Sequence, residues 1–297
     1  MKELLVISGK GGTGKTSIVG AFAVLSKNKV LADCDVDAAD LHLLLKPTVR
    51  ETTEFYGSKK AGLDEAKCTG CGDCIEACRF GAIVMGKGRI EIDPISCEGC
   101  AVCSHVCPQG AIVMQDNLSG HWFISDTPYG PLVHARLGVA EESSGKLVTR
   151  VRDEARSLAK SLELDLIIID GPPGIGCPVI ASISGVDLAL IVTEPTVAGT
   201  HDMARALELA RHFGVEVVVC INKYDLHEGK AQEIEQHCAA EGIQVAGKIP
   251  FDEGVVTALT RGMPVGARAN DGASGWEEGK ASKAIQELWA RVSSRLN

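Results

Sequence analysis

Eight residues near the start of the chain, Gly9-Lys10-Gly11-Gly12-Thr13-Gly14-Lys15-Thr16, repeat the pattern G-x-x-x-x-G-K-[ST] in full. An apolar run of strand type (residues 3–8) precedes them, and a helix is expected from about residue 16 to 27. Glycines let successive backbone N–H groups turn inward around phosphate oxygens, and the helix start adds the positive end of its dipole. In such a loop Lys15 reaches the β- and γ-phosphates, and Thr16 offers its hydroxyl to Mg²⁺.

A strand–loop–helix of this kind belongs to an α/β fold, and the rest of the chain keeps the same rhythm. Strands are expected at 30–35, 164–170, 188–193, 215–222 and 245–249. Helices are expected at about 146–161, 200–213, 229–241 and 280–296. The strands are apolar throughout, as in a parallel sheet covered on both faces. The fold class read from this is α/β, doubly wound, with a mostly parallel P-loop NTPase sheet. Residues 46–60 are polar and contain Pro and Gly, and read as a connection. From about 61 to 115 the segments shorten and cysteines crowd in. This stretch reads as an inserted module in a discontinuous domain formed by 1–60 and 116–297.

Of twelve cysteines, eight fall between 68 and 107. Their spacing is Cys68-x₂-Cys71-x₂-Cys74-x₃-Cys78, followed by Cys97-x₂-Cys100-x₂-Cys103-x₃-Cys107-Pro108. That double run is the bacterial pattern for two [4Fe–4S] clusters, in which the fourth cysteine of each run serves the other cluster. One cluster then takes Cys68, Cys71, Cys74 and Cys107, and the other takes Cys97, Cys100, Cys103 and Cys78. Zinc sites favour paired C-x₂-C groups over triple runs, so zinc is the weaker assignment. Ile75, Ile83, Ile95 and Ile112 recur around the runs and are expected to form a small shared core. Arg79 stands where proline usually follows the fourth cysteine. Cys34, Cys177, Cys220 and Cys238 are scattered and read as small buried hydrophobes.

Lys10, a second lysine early in the phosphate loop, is the signature of a deviant Walker A motif. With it the chain resembles the MinD/ParA/Mrp group of ATPases, more closely the branch with an inserted two-cluster ferredoxin domain. The resemblance implies that Lys10 reaches across a dimer interface to the partner subunit's nucleotide. It implies that Asp35 orients the attacking water, although Asp33 and Asp37 stay open as the important acid. The 166–170 strand, ending in Asp170, reads as Walker B with Asp170 serving Mg²⁺ through water. Gly171-Pro172-Pro173-Gly174 resembles a switch II of Mrp type. Asn222 is expected to contact the purine, and Pro250 to open the loop that closes over it. ATP is the expected nucleotide, with GTP left open by Asn222-Lys223-Tyr224-Asp225.

The function expected from the resemblance is an ATP-dependent homodimer, or a heterodimer with a related ATPase. It would couple nucleotide state to cluster redox state and act on a redox or regulatory protein partner. The alternatives are a redox-sensing positioning or regulatory ATPase without electron delivery, and a cluster carrier of Mrp type. A net charge of −9 argues against a nucleic-acid partner. No stretch approaches the apolar length of a membrane span, and a cytoplasmic protein is expected. The helix at 280–296 has an apolar face, expected to pack on the sheet rather than on a membrane surface.

Overall fold

The computed structural model describes residues 1–141, 145–267 and 279–296. Along the chain come β1 (Lys2–Ser8), α1 (Lys15–Leu25), β2 (Lys29–Asp33), a short α2 (Leu41–Leu45) and β3 (Thr48–Leu63). The cysteine region contributes α3 (Asp73–Ala77), β4 (Ile83–Gly86), β5 (Arg89–Ile92) and α4 (Val102–Val106). Then follow β6 (Ile112–Thr127), β7 (Gly130–Leu137), α5 (Gly145–Ser161), β8 (Leu166–Pro173), α6 (Cys177–Ile183) and β9 (Leu188–Thr193). The chain closes with α7 (Val197–His212), β10 (Glu216–Asn222), α8 (Glu228–Ala240), β11 (Gln244–Ile249), α9 (Glu253–Thr260) and α10 (Lys280–Ser293).

Nine strands form one sheet in the order β11-β10-β9-β1-β8-β2-β7-β6-β3. From β11 through to β7 every neighbouring pair is parallel. β6 and β7 are joined by residues 128–129 alone, a connection that suits only an antiparallel hairpin. β1 is buried from Glu3 onward because β8 and β9 flank it and helices cover both faces. Its C-terminal end, beside β8 and β9, is where an open α/β sheet binds its ligand.

The chain divides into two compact units. One comprises Met1–Thr53, Trp122–Arg136 and Ser143–Asn297, and the other Glu54–His121 and Leu137–Glu142. All eight clustered cysteines lie in the second. That unit takes in more chain than 61–115, because the ends of β3 and β6 belong to it.

The core of the first unit joins α1, the central strands and α10. In α10, Ala281, Ile285, Leu288 and Val292 are buried, and Trp289 lies against Phe22 of α1 with ring centroids 4.8 Å apart. The apolar face of the last helix is thus covered by the protein's own sheet, as expected. Burial of each such large side chain stabilises by about 1.5–3 kcal/mol. Among the described residues no helix is long and apolar enough to cross a membrane.

Three expectations need correction. Cys177, at the start of α6, is exposed, whereas Cys34, Cys220 and Cys238 are buried as expected. Residues 46–60 are not a connection: most of them form β3, one of the two edge strands of the sheet. Ten of its sixteen residues are exposed, all of residues 48–54 among them, and only Ala61 is buried, so it lacks the apolar alternation by which strands are recognised. Edge strands commonly carry such charges, here Arg50, Glu51, Glu54, Lys59 and Lys60. The small core of the second unit contains Ile83, Ile90 and Ile112, with Ile75 half-buried against it, but Ile95 is 68% exposed. Ile90, on the β4–β5 hairpin, is buried in that core.

Candidate functional site: a phosphate loop and two cysteine quartets

The phosphate loop turns through left-handed backbone at Gly12 and Gly14 (φ 82° and 87°). Gly9 is needed for a different reason: a Cβ there would stand 2.4 Å from the backbone of Asp202. Lys15, the first residue of α1, is buried, and its Nζ donates to Asp170 Oδ1 at 2.7 Å and to Asp35 Oδ2 at 3.3 Å. Burial works against the charge on Lys15, but Asp170, Asp35 and Asp33 outweigh it and hold its pKa above the usual lysine value. Burial pushes the Asp35 carboxyl up, against the pull of Lys15.

Asp33, fully buried, accepts the Asp35 N–H at 3.2 Å and the Leu41 N–H at 3.3 Å. It shapes the turn after β2 and does not line the cavity. Asp37 is exposed. Of the three acids left open by sequence, Asp35 alone faces the cavity. Asp170 Oδ2 is buried with no hydrogen-bond partner, an orphaned carboxylate oxygen at the end of β8. A Mg²⁺-bound water is a chemically fitting partner for it.

A cavity of about 480 Å³ opens beside these groups, lined along one end by Gly11–Thr16, Asp35 and Pro173. Apolar Ile249, Pro250, Phe251, Val255 and Leu259 also line it, together with Asn222, Lys223 and Asp252. Asn222 ends β10 and its Nδ2 donates to the Thr13 carbonyl at 2.8 Å. Asp225, the acid of the Asn-Lys-x-Asp run, is turned to the Phe251 N–H at 2.7 Å and is not among the lining residues.

Lys10 points elsewhere. Its Nζ lies 2.5 Å from Glu194 Oε1 and 3.4 Å from Thr196 Oγ1. Glu194 also receives Lys223 at 3.3 Å, and Lys223 reaches the Gly12 carbonyl at 3.2 Å. Burial raises and the two lysines lower the Glu194 carboxyl, with a net fall.

In the second unit the cysteines gather in two places. One small cavity is lined by Cys68, Cys71, Cys74 and Cys107, and a second by Cys78, Cys97, Cys100 and Cys103. The two runs repeat their backbone as well. Gly70 and Gly99, Gly72 and Ala101, and Gly81 and Gly110 occupy matching positions, all with positive φ. Backbone N–H groups point at sulfur: Ala111 donates to Cys107 Sγ at 3.2 Å and Ala61 to Cys97 Sγ at 3.5 Å. The bond from Ala111, helped by neighbouring peptides, lowers the Cys107 thiol, while burial raises Cys74 and Cys103. Among the described residues no three His, Cys, Asp or Glu side chains converge on the position of a single metal ion.

Residues 4–265 match the family described as the CobQ/CobB/MinD/ParA nucleotide binding domain. The chain belongs to this family. It is 39% identical over 224 residues to an uncharacterized protein of Methanocaldococcus jannaschii, covering 74% of this chain and 78% of that one. It is 29% identical over 167 residues to an iron-sulfur cluster carrier protein of Pyrococcus horikoshii, about half of each chain (51% and 53%). Among solved structures, the septum site-determining protein MinD of Pyrococcus horikoshii, complexed with Mg-ADP, shares the fold with a TM-score of 0.57. That match is 17% identical and covers 98% of this chain and 95% of that one.

For a CobQ/CobB/MinD/ParA domain, the expected nucleotide residues divide cleanly. Gly11, Gly12, Thr13, Gly14, Lys15, Thr16, Asp35, Asn222 and Pro250 share one cavity; Asp170 does not line it but is bonded to Lys15, which does. Gly9 and Lys10 lie outside it. Sequence reasoning gave Glu194 no role with Lys10, although a strand-end acid after apolar β9 follows the same rule that singled out Asp170.

Proposed function

We propose that this chain hydrolyses ATP with Mg²⁺ and carries two [4Fe–4S] clusters. We further propose that it works as an ATP-dependent dimer, with itself or with a related ATPase, in which nucleotide state and cluster redox state influence each other. The observation carrying the cluster reading is the separation of eight thiols into two quartets. Each takes three cysteines from one run and the fourth from the other. A cluster spreads its ligands around a body several atoms wide, so it does not need the tight convergence of a single-ion site. Peptide N–H groups directed at sulfur suit thiolates that stay deprotonated. Such clusters would supply one-electron transfer, and the eight cysteines would hold them.

On the nucleotide side, Lys15 is set to neutralise phosphate charge and Thr16 to offer its hydroxyl toward the metal. Asp170, whose Oδ2 has no hydrogen-bond partner, would serve a metal-bound water, and Asp35 would orient the attacking one. Little covalent work falls to the protein in phosphoryl transfer; positioning and charge stabilisation dominate. The apolar residues of the lining suit a purine. The engagement of Asp225 by Phe251 favours adenine over guanine, which needs a free acceptor for its ring N–H. Lys10 would leave Glu194 to reach a partner's nucleotide. The partner acted on would be a redox or regulatory protein.

The test is anaerobic purification with iron and sulfide analysis, followed by ATPase and size measurements with clusters oxidised and reduced. About eight irons per chain and an ATPase or dimer that responds to redox state are expected. Full iron with no response in either would remove the coupling. A second reading, cluster delivery, draws on the relative named an iron-sulfur cluster carrier. Rapid loss of iron to an apo-acceptor in the presence of ATP would favour it. Redox-dependent ATPase without electron delivery would favour a regulatory role.

A further inference from the structure

The two cysteine runs are near copies, yet one loop is covered and its counterpart is not. A Cβ on Gly70 would meet nothing within 4 Å, whereas a Cβ on Gly99, at the matching place, would stand 2.1 Å from the Lys59 carbonyl oxygen. The end of β3 is therefore seated on the Cys97–Gly99 loop. Three contacts fasten it there: Lys59 against Gly99, the Ala61 N–H on Cys97 Sγ at 3.5 Å, and half-buried Lys60, whose Nζ donates to the Cys97 carbonyl at 2.7 Å. Arg79 adds a second cation directly after Cys78, where the other run has Pro108 after Cys107.

Charges around the two quartets do not balance alike. Beside the Cys78/Cys97/Cys100/Cys103 quartet stand half-buried Lys60 and exposed Arg79 against Glu98 and Asp93, both exposed, with Asp93 in electrostatic reach of Lys60; water screens Arg79, Glu98 and Asp93 alike, so Lys60 is the least screened of the four. Beside the Cys68/Cys71/Cys74/Cys107 quartet, Lys67 is paired with Asp64 at 2.9 Å. Exposed Asp73, next to Cys74, leaves a negative surplus there, while exposed Glu76 lies midway in sequence between Cys74 and Cys78 and counts toward both quartets. The Ala111 N–H on Cys107 Sγ offsets part of it.

Reduction adds one electron to an iron–sulfur centre, makes it one unit more negative and breaks no bond. Nearby positive charge therefore favours the reduced form. Cover by β3 excludes water and works the other way, but the same exclusion strengthens the field of Lys60 at Cys97.

We infer that Lys60, with Arg79, holds the Cys78/Cys97/Cys100/Cys103 site at a higher reduction potential than the Cys68/Cys71/Cys74/Cys107 site. A single electron given to the protein then settles at the Lys60 end. Lys60 acts as a positioning and tuning residue, and the inference rests on the two-cluster reading above.

The test is a potentiometric titration of the full, anaerobically prepared chain with dithionite, followed by electron paramagnetic resonance, with iron and sulfide measured on the same samples. The wild type should show two one-electron waves. Lys60→Met should move the upper wave down and leave the lower in place. Its reduced-to-oxidised ratio at fixed potential should fall about tenfold, ~59 mV for a one-electron couple. Arg79→Pro should move the same wave in the same direction, and Lys60→Arg should restore it. One unresolved wave in the wild type, movement of the lower wave, or no shift in fully loaded Lys60→Met and Arg79→Pro would each overturn the inference. If Lys60→Met loads poorly, Arg79→Pro and Lys60→Arg decide by the same waves. A wild-type chain that holds no iron overturns the underlying two-cluster reading, a result the iron analysis reports before any titration.

Discussion

Lys15 Nζ lies 2.7 Å from Asp170 Oδ1, joining the first residue of α1 to strand β8 across 155 positions of chain. Both partners are buried, and the second oxygen of Asp170 has no bond of its own. The phosphate-loop cation is thus already balanced by carboxylates, and an incoming phosphate must compete for it. Asp170→Asn keeps the shape, removes the charge and leaves Lys15 less tightly held. Mg²⁺-dependent ATPase is expected to fall about 10²–10³-fold, as when one preorganised electrostatic group is removed, while ATP binding without Mg²⁺ persists. Steady-state rates and equilibrium binding with and without Mg²⁺ check this; an unchanged rate would remove Asp170 from the metal site.

Glu194 holds Lys10 at 2.5 Å within one subunit. If Lys10 serves a partner's nucleotide, that bond must open first. Glu194→Gln weakens it without removing the hydrogen-bond acceptor. The concentration of chain needed for ATP-dependent dimerisation should drop about fivefold or more, roughly 1 kcal/mol for a partly buried ion pair. Sedimentation with ATP measures it. Lys10→Ala should abolish the dimer and leave single-subunit nucleotide binding intact.

Asp33 titrates against the fold. Burial, with Asp170 and Asp35 adding and Lys15 opposing, raises its carboxyl well above the ordinary value. Its folded pKa thus exceeds the unfolded one, about 4. The stability from the neutral form is complete below that value and is lost as pH climbs through the raised one. Asp33→Asn cannot titrate. Its Tm relative to wild type should therefore rise steadily as pH goes from 4 to 8, by ~2–4 °C for each kcal/mol. A Tm difference that stays flat with pH would contradict the charge argument.

Ala101 sits at φ 64°, a left-handed backbone that its counterpart Gly72 adopts at no steric cost. Ala101→Gly should stabilise the chain by ~1 kcal/mol and Gly72→Ala should cost about as much. Chemical denaturation of the two variants provides the comparison, with opposite shifts in midpoint expected.

Much of the fold could be read from the chain because β1, β8, β9 and β10 are buried on both faces, and such strands appear as unbroken apolar runs. β3 escaped because an exposed edge strand has no buried face to impose a pattern on its side chains. The phosphate loop and the cysteine spacing are local signals, dictated by what a few neighbouring residues must do. The choice among Asp33, Asp35 and Asp37 was not local. It depended on which way the chain turns after β2, with Asp33 folded inward under two peptide N–H groups. Glu194 is similar, since its partner Lys10 is far away in sequence and meets it only through the β1–β9 pairing.

The contrast between Gly70 and Gly99 reaches beyond electron affinity. Both need a left-handed backbone (φ 72° and 66°), but only position 99 also lacks room for a side-chain carbon. An asparagine, which tolerates that backbone, fits at 70; at 99 even a methyl group would prise β3 away from its seat. Two halves of one duplicated pattern therefore differ in their freedom to drift, the half fastened to residues 59–61 being the one frozen in place.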